Sequence, residues 1–574
     1  MSSSQQVQEC LKWATTNGSV INDSLEFTTT ASGIAALAKS KINGSTQPLI
    51  SVPKKLLITR EMATESLGDL GSKNLGPNAL TQLFLAKLMF ATDVSSKDRE
   101  LQDFFRPYLR VLPTHKDIHT PYFWTHSELL LLRGMDIYLK AKKNLRRLVN
   151  EWHELVTAGE LRKDTKFYDL FNSSENFDSG EYIRSQLADP ATVDWTDFPA
   201  YLWASSIFSS RAFPTLLLGT STDLNEAFLN PIIDLLNHSP GKNVTWAYDE
   251  EAAAVTFSTA ETVEPGEELY NNYGDKSNDE LLLNYGFVLP NNEHDKSTLC
   301  LRIPSESISQ AARVGVNLDA AYVFDDMISY ELPVSGELAP SIINLFSSLN
   351  MLKSEEFLTV RSTLEGLDQL SSILQQKIEA LKSPTATLSN GSNHNAAKLS
   401  KLYKASQKKI FQAAFDSIPR QQKELLKVQK PLSFKTIMKN DRLFANSILL
   451  ALGVTGYDDM LKKGMERQVI LLWLVRVGNK QSYKSTDYQL PDFIHSMFQE
   501  VKRNIVVEKD DVMEYMDFYK GLFPQLGAKI PEVYGVGDWS IKQFIIAGTV
   551  IDRLMWTRGS SREPFFFERK PFHQ

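Results

Sequence analysis

Two short islands hold the residues best suited to chemistry. Asn237-His238-Ser239 follows an apolar run, and Glu268-Leu-Tyr-Asn-Asn-Tyr273-Gly274 comes roughly 35 residues later. Between them they offer amide, imidazole and phenol groups for hydrogen bonding. Arg211, near the end of the apolar segment 195–213, adds a planar cation whose fork pairs bidentately with a carboxylate. The nine histidines are scattered without the close pairing of a metal site, and Cys10 and Cys300 can build neither a disulfide framework nor a cysteine zinc cluster. No metal cofactor is expected, and the chemistry on offer is binding and orienting. Taken singly, these residues say little. An Asn-His pair most often caps or closes a loop, a tyrosine at a buried strand end is usually packing, and a lone arginine is as readily a structural salt bridge. Order and spacing carry the weight.

The elements that must position them follow from composition. Residues 244–248 and 252–257 are rich in β-branched and aromatic side chains and read as strands, with a hairpin turn at Asp249-Glu250-Glu251. Pro265-Gly266 makes a second turn. Ser277 and Glu280 have the spacing of a capping box, so a short helix starts there, and it ends near Tyr285-Gly286. Upstream, Val7, Leu11 and Ala14 repeat at helical spacing beside Trp13, and Asn17-Gly18 closes that helix. Segments 25–29, 33–38 and 49–52 read as short strands. Small residues such as Gly33 and Ala35 let a backbone approach a ligand, although alone they fit an ordinary buried strand.

Residues 79–90 have a wide apolar face and read as a buried helix; helices continue over 127–160, 172–179 is a polar loop, and 195–213 is a helix carrying Arg211. One more strand is expected at 299–303. From about residue 306 onward helical periodicity dominates. Leu399, Leu402, Tyr403, Ile410, Ala413 and Ala414 mark an apolar stripe, with Lys398, Lys401, Lys404, Lys408 and Lys409 mostly off it on a solvated face. The polar stretch 384–397 reads as a flexible connector.

At 574 residues the chain is too long for one hydrophobic core, and two or three domains are expected. Its 42% hydrophobic and 23% charged content is ordinary for a globular protein. A net charge of −7 argues against direct nucleic-acid binding through phosphates and is compatible with a basic protein substrate. The N-terminus lacks the apolar core of a secretory signal, and the most apolar run, 469–475, is far short of a membrane span. A cytoplasmic location is expected, with the nucleus as the alternative.

The island Asn237-His238-Ser239, then ELYNNYG at 268–274, then KSNDELLLNYGF at 276–287, resembles the SET-domain methyltransferases. Within them the chain is most similar to the branch of the Rubisco large-subunit lysine methyltransferase, with the fungal ribosomal-protein and elongation-factor lysine methyltransferases nearest. The resemblance implies an α+β fold: an N-terminal helix (1–19), a SET domain of small β-sheets with knot-like threading (20–295) split by a helical insertion (about 70–190), and an all-α substrate-binding domain (296–574). It implies S-adenosyl-L-methionine as cofactor. On this likeness Tyr273 is the catalytic tyrosine, and Gly33, Ile34, Ala35, Arg211, Asp234, Asn237, His238, Tyr273 and Phe287 bind the cofactor. Tyr285 lies in the substrate lysine channel, and Gly286 and Phe287 lie where relatives line the channels. Ala35 stands where relatives often have a second glycine.

What such a site must do follows from acid–base chemistry. A lysine side chain has an unperturbed pKa of about 10.4, so at neutral pH its ammonium cannot attack a methyl group. A dry, narrow channel lowers that pKa by desolvation, and alignment of amine with methyl donor can supply about 7–11 kcal/mol of the barrier. The expected protein is a protein-lysine N-methyltransferase acting on a ribosomal protein or elongation factor, a monomer with no membrane partner. A SET enzyme with another acceptor, such as an actin histidine, and a catalytically silent SET binding module are the alternatives.

Overall fold

The computed structural model describes residues 3–30, 33–68, 70, 75–162, 165–174, 177–318, 322–324, 327–382, 394–484 and 488–572. Its internal contacts divide the chain into two compact units: Met1–Ser297 with Ala380–Lys409, and Thr298–Glu379 with Ile410–Gln574.

The first unit opens with helix α1 (Ser3–Thr16), which buries Val7, Cys10 and Ala14 at the predicted spacing. Strands β1 (Val20–Ile21), β2 (Leu25–Thr30), β3 (Gly33–Ala38) and β4 (Ile50–Pro53) follow. Next come helices α2 (Arg60–Leu67), α3 (Ala79–Phe90), α4 (Ser96–Leu109), α5 (His126–Leu129), α6 (Asp136–Ala158), α7 (Lys166–Ser173), α8 (Ser179–Leu187) and α9 (Phe198–Arg211). Strands β5 (Ala212–Pro214), β6 (Ala227–Leu229), β7 (Val244–Asp249) and β8 (Ala254–Thr259) return the chain to the sheets.

The sheets are small and antiparallel. One has the order β1-β4-β8-β7, with Val52 opposite Val255 and Trp246 opposite Phe257; β2 pairs with β3 and β5 with β6. Strand β8 is buried along its whole length because strands flank it on both sides, whereas the edge strand β7 alternates half-buried and exposed residues. The predicted hairpin is therefore present, its turn reaching Ala253.

Helix α9 decides where the site can form. Every residue from Phe198 to Phe208 is buried, the signature of a helix apolar on all sides. Its polar groups are matched: Tyr201 donates to Glu151 of α6 at 2.6 Å, and Trp203 Nε1 donates to the Pro113 carbonyl at 2.9 Å. Held this way, α9 delivers Arg211, its last residue, to a fixed place.

In the second unit the sequence 469–477 is the buried heart of helix Glu466–Gly478, surrounded by a cluster that includes Phe434, Ile494, Phe544 and Phe566. Arg476 lies wholly inside it, paired with Asp441. The unit is helical with two three-stranded sheets added. One orders Tyr322–Phe324, Met327–Pro333 and Lys296–Arg302; the other orders Leu432–Ser433, Glu563–Phe566 and Met555–Arg558. The strand expected at 299–303 is present as Lys296–Arg302; an all-α expectation misses the others, most of which, at two to four residues, give too few repeats to separate period 2 from period 3.6. Helix His394–Gln429 is divided between the units at Lys409; along it Leu399, Tyr403, Ile410 and Ala414 are buried while Lys398, Lys401, Lys408 and Lys409 are exposed, as a solvated lysine face requires. Most of the connector expected at 384–397 lies outside the described residues, and 394–397 form the first turn of that helix.

Candidate active site

Three backbone segments converge. Residues 267–269 run antiparallel to β3: the Ala38 amide donates to the Glu267 carbonyl at 2.9 Å and the Leu269 amide to the Ala36 carbonyl at 2.8 Å. Further along, the same segment lies parallel to 237–239, with the Asn271 amide donating to the Asn237 carbonyl at 2.7 Å and the Ser239 amide to the Asn271 carbonyl at 3.0 Å. The two islands thus meet through main-chain bonds. Asn271 itself is buried and satisfied, accepting from Trp246 Nε1 of β7 at 3.1 Å and from the Asn272 amide at 2.8 Å.

The approach to Asn237 is strained. Ile232 has φ 78° and ψ −54°, a left-handed conformation that β-branched residues rarely adopt, and it is completely buried. The kink feeds a short 3-10 turn, Ile233–Leu235, that carries Asp234.

Around these segments the rings stack. Tyr273 lies flat against His238, with centroids 4.9 Å apart, and against Tyr285 at 5.1 Å; Phe287 meets Tyr285 edge-on at 6.1 Å. The Tyr273 hydroxyl donates to the Leu236 carbonyl at 2.8 Å, and its amide donates to His238 Nδ1 at 3.0 Å. Nδ1 is therefore an acceptor, which fixes the tautomer. Burial drives the Tyr273 phenol well above its ordinary pKa, Arg211 opposing, and pushes Tyr285 up to about 12. Both are neutral hydroxyls at physiological pH.

The short helix behind Tyr285 begins at the predicted capping box, where the Ser277 amide donates to Glu280 at 2.9 Å, and continues as a π turn, Leu281–Tyr285. Gly286 closes it at φ 77°; a Cβ there would come within 3.1 Å of the His119 backbone. Glycine alone meets both the angle and the contact without strain.

Asn237 Nδ2 donates to the Ile34 carbonyl at 3.0 Å and to Glu268 Oε1 at 2.7 Å, which ties β3 to both islands. Gly33, at φ 108°, has open space where a Cβ would sit, while Ala35 is wholly buried within the β2–β3 pair. Arg211 Nη1 donates to the Asp234 carbonyl at 2.9 Å and to its Oδ2 at 3.3 Å, and Tyr108 of α4 donates to the same Oδ2 at 2.7 Å. Burial raises the Asp234 carboxyl above the usual value, while Arg211 and Tyr108 pull it back.

The structure thus groups the sequence-predicted residues in two clusters joined at Tyr273. Gly33, Ile34, Asn237 and Glu268 form one; Arg211 and Asp234 form the other. His238, Tyr285 and Phe287 stack with Tyr273 between them. Two members escaped sequence reasoning. Glu268 lies inside the second island, where its charge directly before the apolar Leu269 is the available signal. Tyr108 gave none, since its partner is 126 residues away. Among the described residues no group of three or more His, Cys, Asp or Glu could hold a metal ion, and no helix is long and apolar enough to cross a membrane.

The SET-domain family matches residues 89–274, which end on this site, and the EFM1 middle-domain family matches residues 296–429. The solved structure of Rubisco LSMT bound to AdoMet shares the fold, with a TM-score of 0.53 at 18% identity over 73% of this chain and 93% of that one. The class is that of SET-domain methyltransferases. More narrowly, the protein-lysine N-methyltransferase EFM1 of Saccharomyces cerevisiae is 40% identical over 99% of this chain and 98% of its own length. Ribosomal lysine N-methyltransferase 1 of the same yeast is 28% identical over 84% of this chain and 88% of its own. The chain belongs to the SET-domain protein-lysine methyltransferase family, in the group of yeast EFM1.

Proposed function

We propose that this chain methylates a lysine of a translation protein, with an elongation factor as the first candidate and a ribosomal protein as the second, using S-adenosyl-L-methionine. The carrying observation is the His238–Tyr273–Tyr285 stack, with the Tyr273 proton committed to the Leu236 carbonyl. The yeast relatives named for lysine methylation support the acceptor class.

The donor set suits this cofactor. Gly33 opens onto free space beside Asn237; Glu268 offers an anion for an α-ammonium, and Arg211 a cation for a carboxylate. Bound there, S-adenosyl-L-methionine supplies an electrophilic methyl on a sulfonium. Tyr273 acts as a neutral hydroxyl: its raised pKa and its committed proton make it a fixed dipole, and its oxygen keeps a lone pair for orienting an amine. It is not the base that deprotonates lysine. Tyr285 and Phe287 form an aromatic wall for the lysine stem, where exclusion of water favours the uncharged amine. The cytoplasm, where translation runs, is the compartment this reading implies.

The test is transfer of labelled methyl into extract from cells lacking this gene, followed by mass spectrometry of the labelled band. Wild type should yield methyllysine in a translation protein. Tyr273→Phe should lose transfer by roughly 100-fold while cofactor binding stays within a few-fold. Normal transfer by that variant would refute the catalytic assignment, and methylhistidine in the product would refute the acceptor.

A further inference from the structure

We propose that Tyr108, from the helical insertion, is a positioning residue for methyl transfer: its hydroxyl orients the Asp234 carboxylate, which in turn holds Arg211 at the catalytic centre. The inference rests on the functional reading above and adds a residue outside both motifs.

Tyr108 is completely buried on α4. Its hydroxyl reaches Asp234 Oδ2 at 2.7 Å, the oxygen that also takes Arg211 at 3.3 Å. Asp234 Oδ1 is buried with no hydrogen-bond partner among the described residues, so Oδ2 carries both contacts. The terminal torsion of an aspartate is soft, and two donors converging on one oxygen fix it where one long contact would not. The groups facing Asp234 come from four segments: Cys10 of α1, Tyr108 of α4, Arg211 of α9 and Tyr273 of the second island. Arg211 is the only cation among them, so the neutral Tyr108 hydroxyl is the other group that steadies the anion. Without it a buried carboxylate is short of a donor and takes up a proton more readily, and the guanidinium keeps its bond to the Asp234 carbonyl at 2.9 Å but loses the charged contact that fixes its plane.

Tyr108→Phe removes the hydroxyl and keeps the ring. In the full-length enzyme we expect the KM for S-adenosyl-L-methionine to rise about tenfold with a smaller change in kcat. The acidic limb of the activity profile should move to higher pH, because loss of the donor raises the Asp234 pKa. A purely structural role would lower the melting temperature and the active fraction, moving kcat but neither KM nor the pH limb; that result would overturn the proposal.

Asp234→Asn guards against misfolding of the first variant. If Tyr108 acts through Asp234, the double variant binds S-adenosylhomocysteine by calorimetry no worse than Asp234→Asn alone, and full additivity would refute the coupling. The calorimetric comparison needs no protein acceptor, so it stands if the proposed acceptor fails. A wild-type protein that binds no S-adenosylhomocysteine would overturn the functional reading and this inference together.

Discussion

His238, Tyr273 and Tyr285 behave as one object because each ring sets the plane of the next. The stack needs an imidazole that is unprotonated at Nδ1, and burial pulls the His238 pKa below its ordinary 6.5. A depressed folded-state pKa contributes stability above the unfolded value that is lost as pH falls through the folded one. The melting temperature should therefore be level above about pH 6.5 and decline below it. His238→Gln should flatten part of that decline; His115 and His119, which burial also depresses, contribute in the same sense. An undiminished slope in the variant would remove His238 from the account. Asn237→Ala takes the donor from Glu268 and from the Ile34 carbonyl. Loss of a hydrogen bond to a charged group predicts a folding stability lower by roughly 1.5–3 kcal/mol, measurable by chemical denaturation, with weaker S-adenosylhomocysteine binding by calorimetry. The motif residues were legible because each island is contiguous. Their partners were not: Asn237 finds Ile34 across 203 positions and Asp234 finds Tyr108 across 126, and nothing local marks either bond.

At the scale of elements, local rules were obeyed where they could act locally. The strands of the 244–259 hairpin, the buried helix at 79–90 and the capping box at Ser277 need only their own neighbours to form. The π turn at Leu281–Tyr285 did not announce itself, since it differs from an α-helix by one residue in the hydrogen-bond spacing. Nor did the strain at Ile232, whose sequence favours an extended chain; tertiary packing imposes the angle. Gly286→Ala tests how firmly the π turn is held. The substituted residue must adopt a positive φ against the His119 backbone, at a cost of about 1–3 kcal/mol. Chemical denaturation should show that loss, and the KM for the protein acceptor should change more than the KM for the cofactor.

For the whole molecule, the length leads to an expectation of more than one core; the contacts divide the chain into two compact units. The second unit hides an ion pair: Arg476 and Asp441 are both inaccessible, and Nε and Nη2 of Arg476 have no hydrogen-bond partner among the described residues. Asp441 also caps helix Arg442–Leu452 through the Phe444 amide at 3.2 Å. Arg476→Met would strand the carboxylate in an apolar core, and a loss of about 3–5 kcal/mol is expected in that unit. Hydrogen exchange along Glu466–Gly478 would report it. Adding Asp441→Asn should restore much of the protection, because asparagine still caps a helix and carries no charge to bury. Failure of the double variant to recover would mean that the pair is worth more than its desolvation.

The contact of Gly286 with the His119 main chain bears on how such enzymes diverge. The missing Cβ there lets the His119 main chain pack directly against the bend that follows Tyr285. A sequence that redrew the bend at His119 would move the Gly286 turn and the Tyr285 ring it carries, while leaving the Tyr273 phenol on its Leu236 carbonyl. Selectivity for the guest could then evolve in a segment that touches neither reactant.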